Sequence, residues 1–172
     1  VLEHYGYARS DQHARVKALN IAVSNNPYYL YELAPIYAEH GLGSGRAENI
    51  SPLGGLHSAG VPVSFHSDFT MAPLQPLTLA WVAANRIASD NKTWGSHQRI
   101  PVETAMAAIT IEAAKSLGLE NEIGSLEPGK KADFTILEEN PYEVPRDKLR
   151  DTTIWGTVFE GTINPVVKVA TD

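Results

Sequence analysis

Short apolar runs alternate with longer segments of helical character over the first two thirds of the chain. The runs at residues 1–5, 20–24 and 61–65 each predict a buried β-strand. Helices are predicted between and after these runs, where apolar positions recur at spacings of three and four. The predicted helices span residues 11–19, 52–59, 76–88 and 101–117. Strands that alternate with helices in this way indicate an α/β fold with parallel strand pairing.

Glycine and proline mark the ends of several predicted elements. Gly60 and Gly118 each follow a predicted helix at the position of a C-terminal cap, and Pro101 suits the first turn of the last helix. Prolines interrupt an aromatic, partly helical segment at residues 28–40, and a glycine-rich loop is predicted at residues 41–45.

Beyond Gly118 the pattern changes to short strands separated by turns. Residues 134–137 and 152–160 predict strands, with a turn at Asn140-Pro141 between them. The sequence therefore predicts two parts, an α/β part over residues 1–118 and a small β-rich part over residues 119–172.

Composition narrows the classes of function. A chain of 172 residues with 43% hydrophobic and 20% charged residues is typical of a globular protein, and a net charge of −6 argues against nucleic acid or an anionic membrane as a partner. The absence of cysteine excludes thiol nucleophiles and Cys-type zinc sites, so a metal would be held by His, Asp or Glu. No signal peptide or membrane-length apolar run is visible, which favours a cytoplasmic location, and the strand-like opening suggests that the true amino terminus lies upstream.

Polar side chains that could carry chemistry follow the predicted strands. His66 and Asp68 follow residues 61–65, and His4 lies at the end of the first strand. Carboxyl ends of parallel strands are where α/β barrels build active sites, and a carboxylate there can bind a metal and act as a general base. The alternative interpretations are a turn or capping role for Asp68 and a structural role for His4. His66, two residues before Asp68, could contact substrate, orient Asp68, or be a hydrogen-bonded core histidine.

Weaker candidates lie in the loops. Asn26 and Tyr28, with the adjacent Tyr29, follow the second strand and could line a substrate pocket, although loop tyrosines more often pack. His97 lies in a polar loop that could reach the same pocket. His13, His40 and His57 are predicted to be surface residues or caps.

One long motif resembles a known family. Residues 124–134 (GSLEPGKKADF) resemble the G-x-[IL]-x-x-G-x-x-A-D-[FL] signature of the metal-dependent amidohydrolase superfamily. Residues 2–4 resemble the family's sixth barrel strand, which ends in a metal-site histidine, and residues 66–68 resemble the eighth, which ends in the catalytic aspartate. The branch most similar to this chain is the amidohydrolase-3 group, which includes N-acyl amino-acid and formamide hydrolases.

The resemblance implies a fold and a reaction. The expected fold is α/β, namely the back half of a TIM-type (β/α)8 barrel, about strands six to eight, followed by part of a small β-sandwich. The implied reaction is hydrolysis of a C–N bond in a small amide-like substrate, with zinc or another divalent metal, one or two ions, and metal-activated water. Asp68 is implied as ligand and base, and His4 as a ligand or as the group that polarises the substrate carbonyl. The family's earlier strands, which carry further ligands, are not in this sequence.

Three alternatives differ in class from an active hydrolase. The chain could be a non-catalytic fragment that needs the missing amino-terminal half of the barrel, and its unpaired strand edges predict aggregation, a homo-oligomer or a complementary piece. It could instead be a nucleotide-binding domain, although no strand leads into a glycine-rich turn and a helix. A phosphate-binding loop at Gly41-x-Gly43-x-Gly45 would also need a strand before it, and the preceding segment is helix-like.

Overall fold

Three short parallel strands form the first sheet. The computed structural model describes residues 1–166. β1 (Leu2–His4), β2 (Val23–Asn25) and β3 (Val63–Phe65) pair in that order, and all neighbours are parallel. In the register, Asn25 lies opposite His4 on one side and Phe65 on the other. The three strands therefore end at the same level, and the polar residues that follow them meet at one edge of the sheet.

Helices surround and follow this sheet. A π-helical turn at Tyr29–Leu33 and two 3-10 turns, at Ser96–Gln98 and Arg146–Asp151, accompany seven α-helices within the described residues. These are α1 (Ser10–Ala18), α2 (Ala34–His40), α3 (Ser44–Ala47), α4 (Leu53–Ser58), α5 (Pro76–Asn85), α6 (Val102–Ala108) and α7 (Ile111–Leu117). Within residues 1–166, no helix combines the length and the apolar character needed to cross a membrane.

The carboxyl-terminal part forms a second, antiparallel sheet. β4 (Phe134–Leu137), β5 (Ile154–Phe159) and β6 (Thr162–Pro165) pair in chain order. The sequence did not predict β6. Glu160 and Gly161 both have positive φ, +47° and +80°, so they form a two-residue reversal of the kind that matches strand twist, and the chain pairs back on β5 at once.

α5 joins the two parts. All of its residues from Leu79 to Asn85 are buried. The indole Nε1 of Trp81 donates a hydrogen bond to the Asp147 carbonyl at 2.8 Å, and the Arg150 guanidinium lies 3.9 Å from the centre of the Trp81 ring. The segment before β5 is therefore packed onto α5 by a hydrogen bond and a cation–π contact.

Three predicted elements needed correction. The helix predicted at residues 101–117 is two helices, because Thr110 leaves helical geometry and its hydroxyl donates to the Met106 carbonyl at 2.8 Å. The second strand lies at residues 23–25 rather than 20–24, because Asn20 takes a left-handed conformation, with φ +51°. The glycine-rich loop contains α3, which begins after Gly43 at φ +73°.

His13 is buried, and the prediction that it is a surface residue or cap was wrong. Its ring packs against Gly55 and lies 6.2 Å from the ring of Tyr5, with 6% of the residue exposed. The absence of a side chain at Gly55 leaves the space that the imidazole occupies. Burial lowers the pKa of His13, although the nearby Asp11 acts in the opposite direction.

Stability is expected to depend on pH through His13. Its pKa is lower when folded than its unfolded value of about 6.5, so the unfolded chain binds more protons between the two pKa values. The free energy of unfolding should therefore fall as the pH drops below about 6.5, and the His13→Leu variant should lose this part of the dependence. Urea unfolding at several pH values would check it. Equal pH dependence in both proteins would contradict the assignment.

Candidate functional site

His4 lies at the end of β1 in a strained turn. Its φ is +64°, and the next residue, Tyr5, has φ +46°. The Tyr5 N–H donates to the Glu3 carbonyl at 2.8 Å across His4, which is the hydrogen bond of a γ-turn. Bulky residues rarely adopt positive φ, and such conformations cluster at functional sites. β1 therefore ends at His4, where this turn begins.

The imidazoles of His4 and His66 are neighbours. Their ring centres are 4.9 Å apart with an angle of 54° between the planes, and the Tyr29 ring stacks on His4 at 5.6 Å. The carboxylate of Glu3 lies 3.8 Å from His66 Nε2. The ends of β1 and β3 thus bring together the two histidines that the sequence singled out.

The environment of His66 determines its ionisation and its hydrogen bonds. Burial, together with the neighbouring His4, lowers the pKa of His66, against the opposing effects of Glu3 and Asp68. His66 Nδ1 accepts the backbone N–H of Asp68 at 3.1 Å, so the neutral ring carries its proton on Nε2. His66 therefore holds the backbone of Asp68 and presents an N–H donor.

Asp68 lies beside an open cleft. The strand β3 ends at Phe65, and Asp68 is the third residue after it. Asp68 has a left-handed backbone conformation with φ +53°, and its side chain is exposed. The cleft has a volume of about 350 Å³. His66 and Asp68 line its polar side, and its apolar side is formed by residues that include Phe65, Leu74, Leu79 and Ile109.

The three remaining candidates lie in different surroundings. Asn26 is fully buried, and its side-chain oxygen accepts the Tyr28 N–H at 3.1 Å. Tyr28 is 3% exposed and its ring packs edge-on against Tyr31, and burial raises its pKa. His97 is exposed and its Nε2 lies 3.1 Å from the side-chain oxygen of Asn49. The described contacts thus bring Asn26 to the strand ends, where its N–H donates to the His4 carbonyl at 3.2 Å, and leave Tyr28 and His97 in other environments.

Several residues of this cluster were not singled out by the sequence. Asn25 and Ser67 are both buried, and Glu3 approaches His66. Within residues 1–166, Asn25 Oδ1, Asn26 Nδ2 and Ser67 Oγ are buried without a hydrogen-bond partner. Asn25 and Ser67 follow predicted strands, which is the same signal that identified Asp68, whereas Glu3 lies within the first strand.

The residues fit part of a metal site. His4 Nδ1 is a buried nitrogen without a partner in the described part of the chain, and neutral imidazole is a common zinc ligand. Asp68 adds an exposed carboxylate near the same strand ends. Residues 1–166 contain no group of three or more histidine, aspartate or glutamate side chains placed to hold a metal ion. His4 and Asp68 therefore fit as two ligands of a larger set, because a catalytic zinc usually has three protein ligands.

Comparison with known proteins identifies the class and then the family. The fold of this chain is shared with metal-dependent hydrolases of known structure. The sequence profile of the amidohydrolase family matches residues 1–164, so this chain belongs to the amidohydrolase family. A curated relative, N-substituted formamide deformylase from Arthrobacter pascens, is 26% identical over 167 residues, which cover 94% of this chain and 30% of the relative.

Solved structures agree with this fold. A metal-dependent hydrolase from Pyrococcus horikoshii OT3 superposes with a TM-score of 0.70 at 26% identity, over 84% of this chain and 29% of that chain. An adenosine deaminase from Xanthomonas campestris, with bound zinc, superposes with a TM-score of 0.65 at 17% identity, over 94% of this chain and 36% of that chain. The chain thus spans about a third of the length of these proteins.

Proposed function

We propose that this chain forms part of a metal-dependent hydrolase that cleaves the C–N bond of a small amide-like substrate. The observation that supports it is the meeting of His4, His66 and Asp68 near the carboxyl ends of adjacent parallel strands, beside an open cleft. In α/β barrels this end of the strands is the catalytic face. Family membership supports the same class of reaction.

The proposal includes an architecture. β1, β2 and β3 correspond to about strands six to eight of a TIM-type (β/α)8 barrel within residues 1–118, and residues 119–172 contribute part of a small β-sandwich. The parallel order β1-β2-β3 and the antiparallel order β4-β5-β6 support this division. Residues 167–172 of the second part lie outside the described structure.

Each residue has a proposed role in hydrolysis. His4 and Asp68 would hold the metal, zinc or another divalent ion, one or two in number. When bound, the metal would acidify a water molecule and polarise the substrate carbonyl. The Asp68 carboxylate would accept the proton of that water and deliver it to the leaving nitrogen. The Nε2–H of His66, together with Asn26, would contribute to substrate binding.

The similarity to the deformylase favours a narrower class of substrate than amides in general. That relative, by its name, acts on N-substituted formamides. The cleft here joins a polar side, with His66 and Asp68, to an apolar side, with Phe65 and Leu79. An amide whose nitrogen carries an apolar group matches this division, so N-acyl and N-formyl compounds are the first substrates to test.

A second candidate is that the chain is a structural portion that acts only with a complementary piece or a second copy. The observation that favours it is the sheet itself. Among the described residues, β1 and β3 each pair on one side only, and Leu2 of β1 is 37% exposed. Unpaired strand edges favour association with another strand.

Replacing His4 by alanine is expected to remove bound zinc from the complete gene product. The His4 imidazole is the nitrogen ligand that the proposal assigns to this chain, and alanine supplies none. Zinc content by mass spectrometry, after dialysis against trace zinc, measures the effect. Hydrolysis of a panel of N-acyl and N-formyl compounds, followed in parallel, should fall with the zinc content.

His40→Ala is the matched control. His40 is an exposed histidine on α2, and its side chain makes only a 3.5 Å approach to its neighbour Glu39 among the described contacts. It should leave zinc content unchanged. A His4→Ala protein that retains wild-type zinc would refute the proposed metal role. Light scattering of the 172-residue chain tests the second candidate. That candidate predicts an inactive oligomer, and an active monomer would contradict it.

A further inference from the structure

The middle strand of the first sheet ends in a buried asparagine that contacts both histidines through hydrogen bonds. Asn25 is fully buried and lies opposite His4 in the register. Its side-chain Nδ2 donates to the His4 carbonyl at 2.9 Å and to the Tyr5 carbonyl at 3.2 Å. Both partners are acceptors, so the NH2 group of the amide must face them.

These two bonds reach the strained part of the turn. His4 and Tyr5 are consecutive residues with positive φ, +64° and +46°. Neither is glycine, so this conformation persists only where the surroundings hold it. A donor that bonds both carbonyls at once fixes the two peptide groups relative to each other.

The backbone of Asn25 contacts the other histidine. The N–H of His66 donates to the Asn25 carbonyl at 3.0 Å. The same residue therefore holds the His4 turn through its side chain and the start of the His66 segment through its backbone. Asn25 thus bonds to the backbone of both residues whose imidazoles lie 4.9 Å apart.

We propose that Asn25 is a positioning residue that holds the left-handed His4 turn, and with it the His4 imidazole, in the geometry needed to bind metal. The inference rests on the proposed function, because it gives His4 the role of a ligand. It adds a residue that acts on the site through the backbone of His4 and Tyr5. Residues that orient a ligand typically change metal affinity when they are replaced.

Asn25→Leu tests this role in the complete gene product. Leucine has a similar size and cannot donate a hydrogen bond, so the turn should lose its fixed geometry. The dissociation constant for zinc, measured by competition with a chelator, is expected to rise by about 10- to 100-fold. In the zinc-free protein, hydrogen exchange of the Tyr5 amide, which bonds Glu3 across the turn, should become faster.

Asn85→Leu is the matched control. Asn85 is also a buried asparagine whose Nδ2 donates to two carbonyls, those of Trp81 and Arg146, on α5 and the segment that packs on it. Its replacement removes two donated amide hydrogen bonds, as in Asn25→Leu, and in addition the bond that Asn85 Oδ1 accepts from Arg146 Nε at 3.1 Å. It should lower stability while zinc affinity and Tyr5 exchange stay at wild-type values.

A milder variant keeps the test decisive if Asn25→Leu does not fold. Asn25→Thr retains one hydroxyl donor and suits a strand, so its zinc affinity should lie between wild type and the leucine variant. Wild-type zinc affinity and Tyr5 exchange in both Asn25 variants would overturn the positioning role. If instead the wild-type protein binds no zinc, or the His4→Ala protein still binds zinc, the proposed function is wrong. Faster exchange of the Tyr5 amide in the Asn25 variants would still show that Asn25 holds the turn.

Discussion

Asp68→Asn is expected to lower kcat by about 10²- to 10⁴-fold, the range typical of losing a general acid–base group. The amide cannot accept the proton of the attacking water or return one to the leaving nitrogen. KM should change less, because the substitution alters neither the apolar side of the cleft nor the Nε2–H of His66. The measurement is steady-state kinetics on any N-acyl or N-formyl compound that the wild-type protein hydrolyses.

The structure indicates that Asp68→Asn removes the carboxylate and leaves the local backbone unchanged. Asp68 has φ +53°, and asparagine tolerates a left-handed conformation as well as aspartate does. Its backbone N–H continues to donate to His66 Nδ1, since the side-chain change leaves the backbone bond in place. Asp151→Asn is the control, because Asp151 is exposed and approaches Lys148 and Arg150 only at 3.9 Å. Wild-type turnover in Asp68→Asn would refute the proposed mechanism.

Arg86→Met is expected to lower the free energy of unfolding by about 3–5 kcal/mol, because it leaves several buried carbonyls without a donor at a cost of about 1–3 kcal/mol each. Arg86 is fully buried at the end of α5 and donates to four backbone carbonyls. Its Nε bonds Trp94 at 3.0 Å and its Nη1 bonds Ser51 at 2.7 Å, while its Nη2 bonds Glu48 at 3.0 Å and Ile50 at 2.8 Å. Methionine fills similar space but leaves these carbonyls without the donor.

The charge of Arg86 is met by carbonyl dipoles. Burial, with a further contribution from Arg99, lowers the pKa of Arg86 to about 9, so the guanidinium is still charged at neutral pH. Arg86→Lys should lose part of the stability, because an ammonium cannot reproduce the planar fork of donors. Ser51 links Arg86 to the strand ends by hydrogen bonds, since its N–H donates to the Gly6 carbonyl at 2.8 Å and its hydroxyl donates to the Asn26 carbonyl at 3.2 Å.

Urea unfolding of Arg86→Met measures the loss directly. Arg9→Met is the comparison, because the Arg9 side chain is 69% exposed and pairs only with Asp11, whose side chain is 57% exposed, among the described contacts. That variant should change stability by less than about 0.5 kcal/mol. A similarly small effect for Arg86→Met would show that the four carbonyls are satisfied without it.

Local patterns predicted the elements that depend on local chemistry. The parallel strand pairing followed from apolar runs separated by helical segments, and Gly118 ends α7 in a left-handed cap as expected. The strand at residues 134–137 was predicted at its observed bounds. Errors arose where a side chain competes with the backbone, as at Thr110, or where non-glycine residues take positive φ, as at Asn20 and Glu160. Periodicity carries no signal for either effect.

The sequence by itself determined the family-type motif at residues 124–134, the parallel α/β order, and the polar residues that follow the strands. Tertiary structure decided which of those residues meet. It placed His4 beside His66 and left Tyr28 and His97 elsewhere. It also revealed Arg86, Asn25 and the burial of His13, whose roles depend on partners between 8 and 42 positions away in the chain. The physical reason is that hydrogen-bond partners and burial are set by packing between distant segments, which local sequence patterns do not encode.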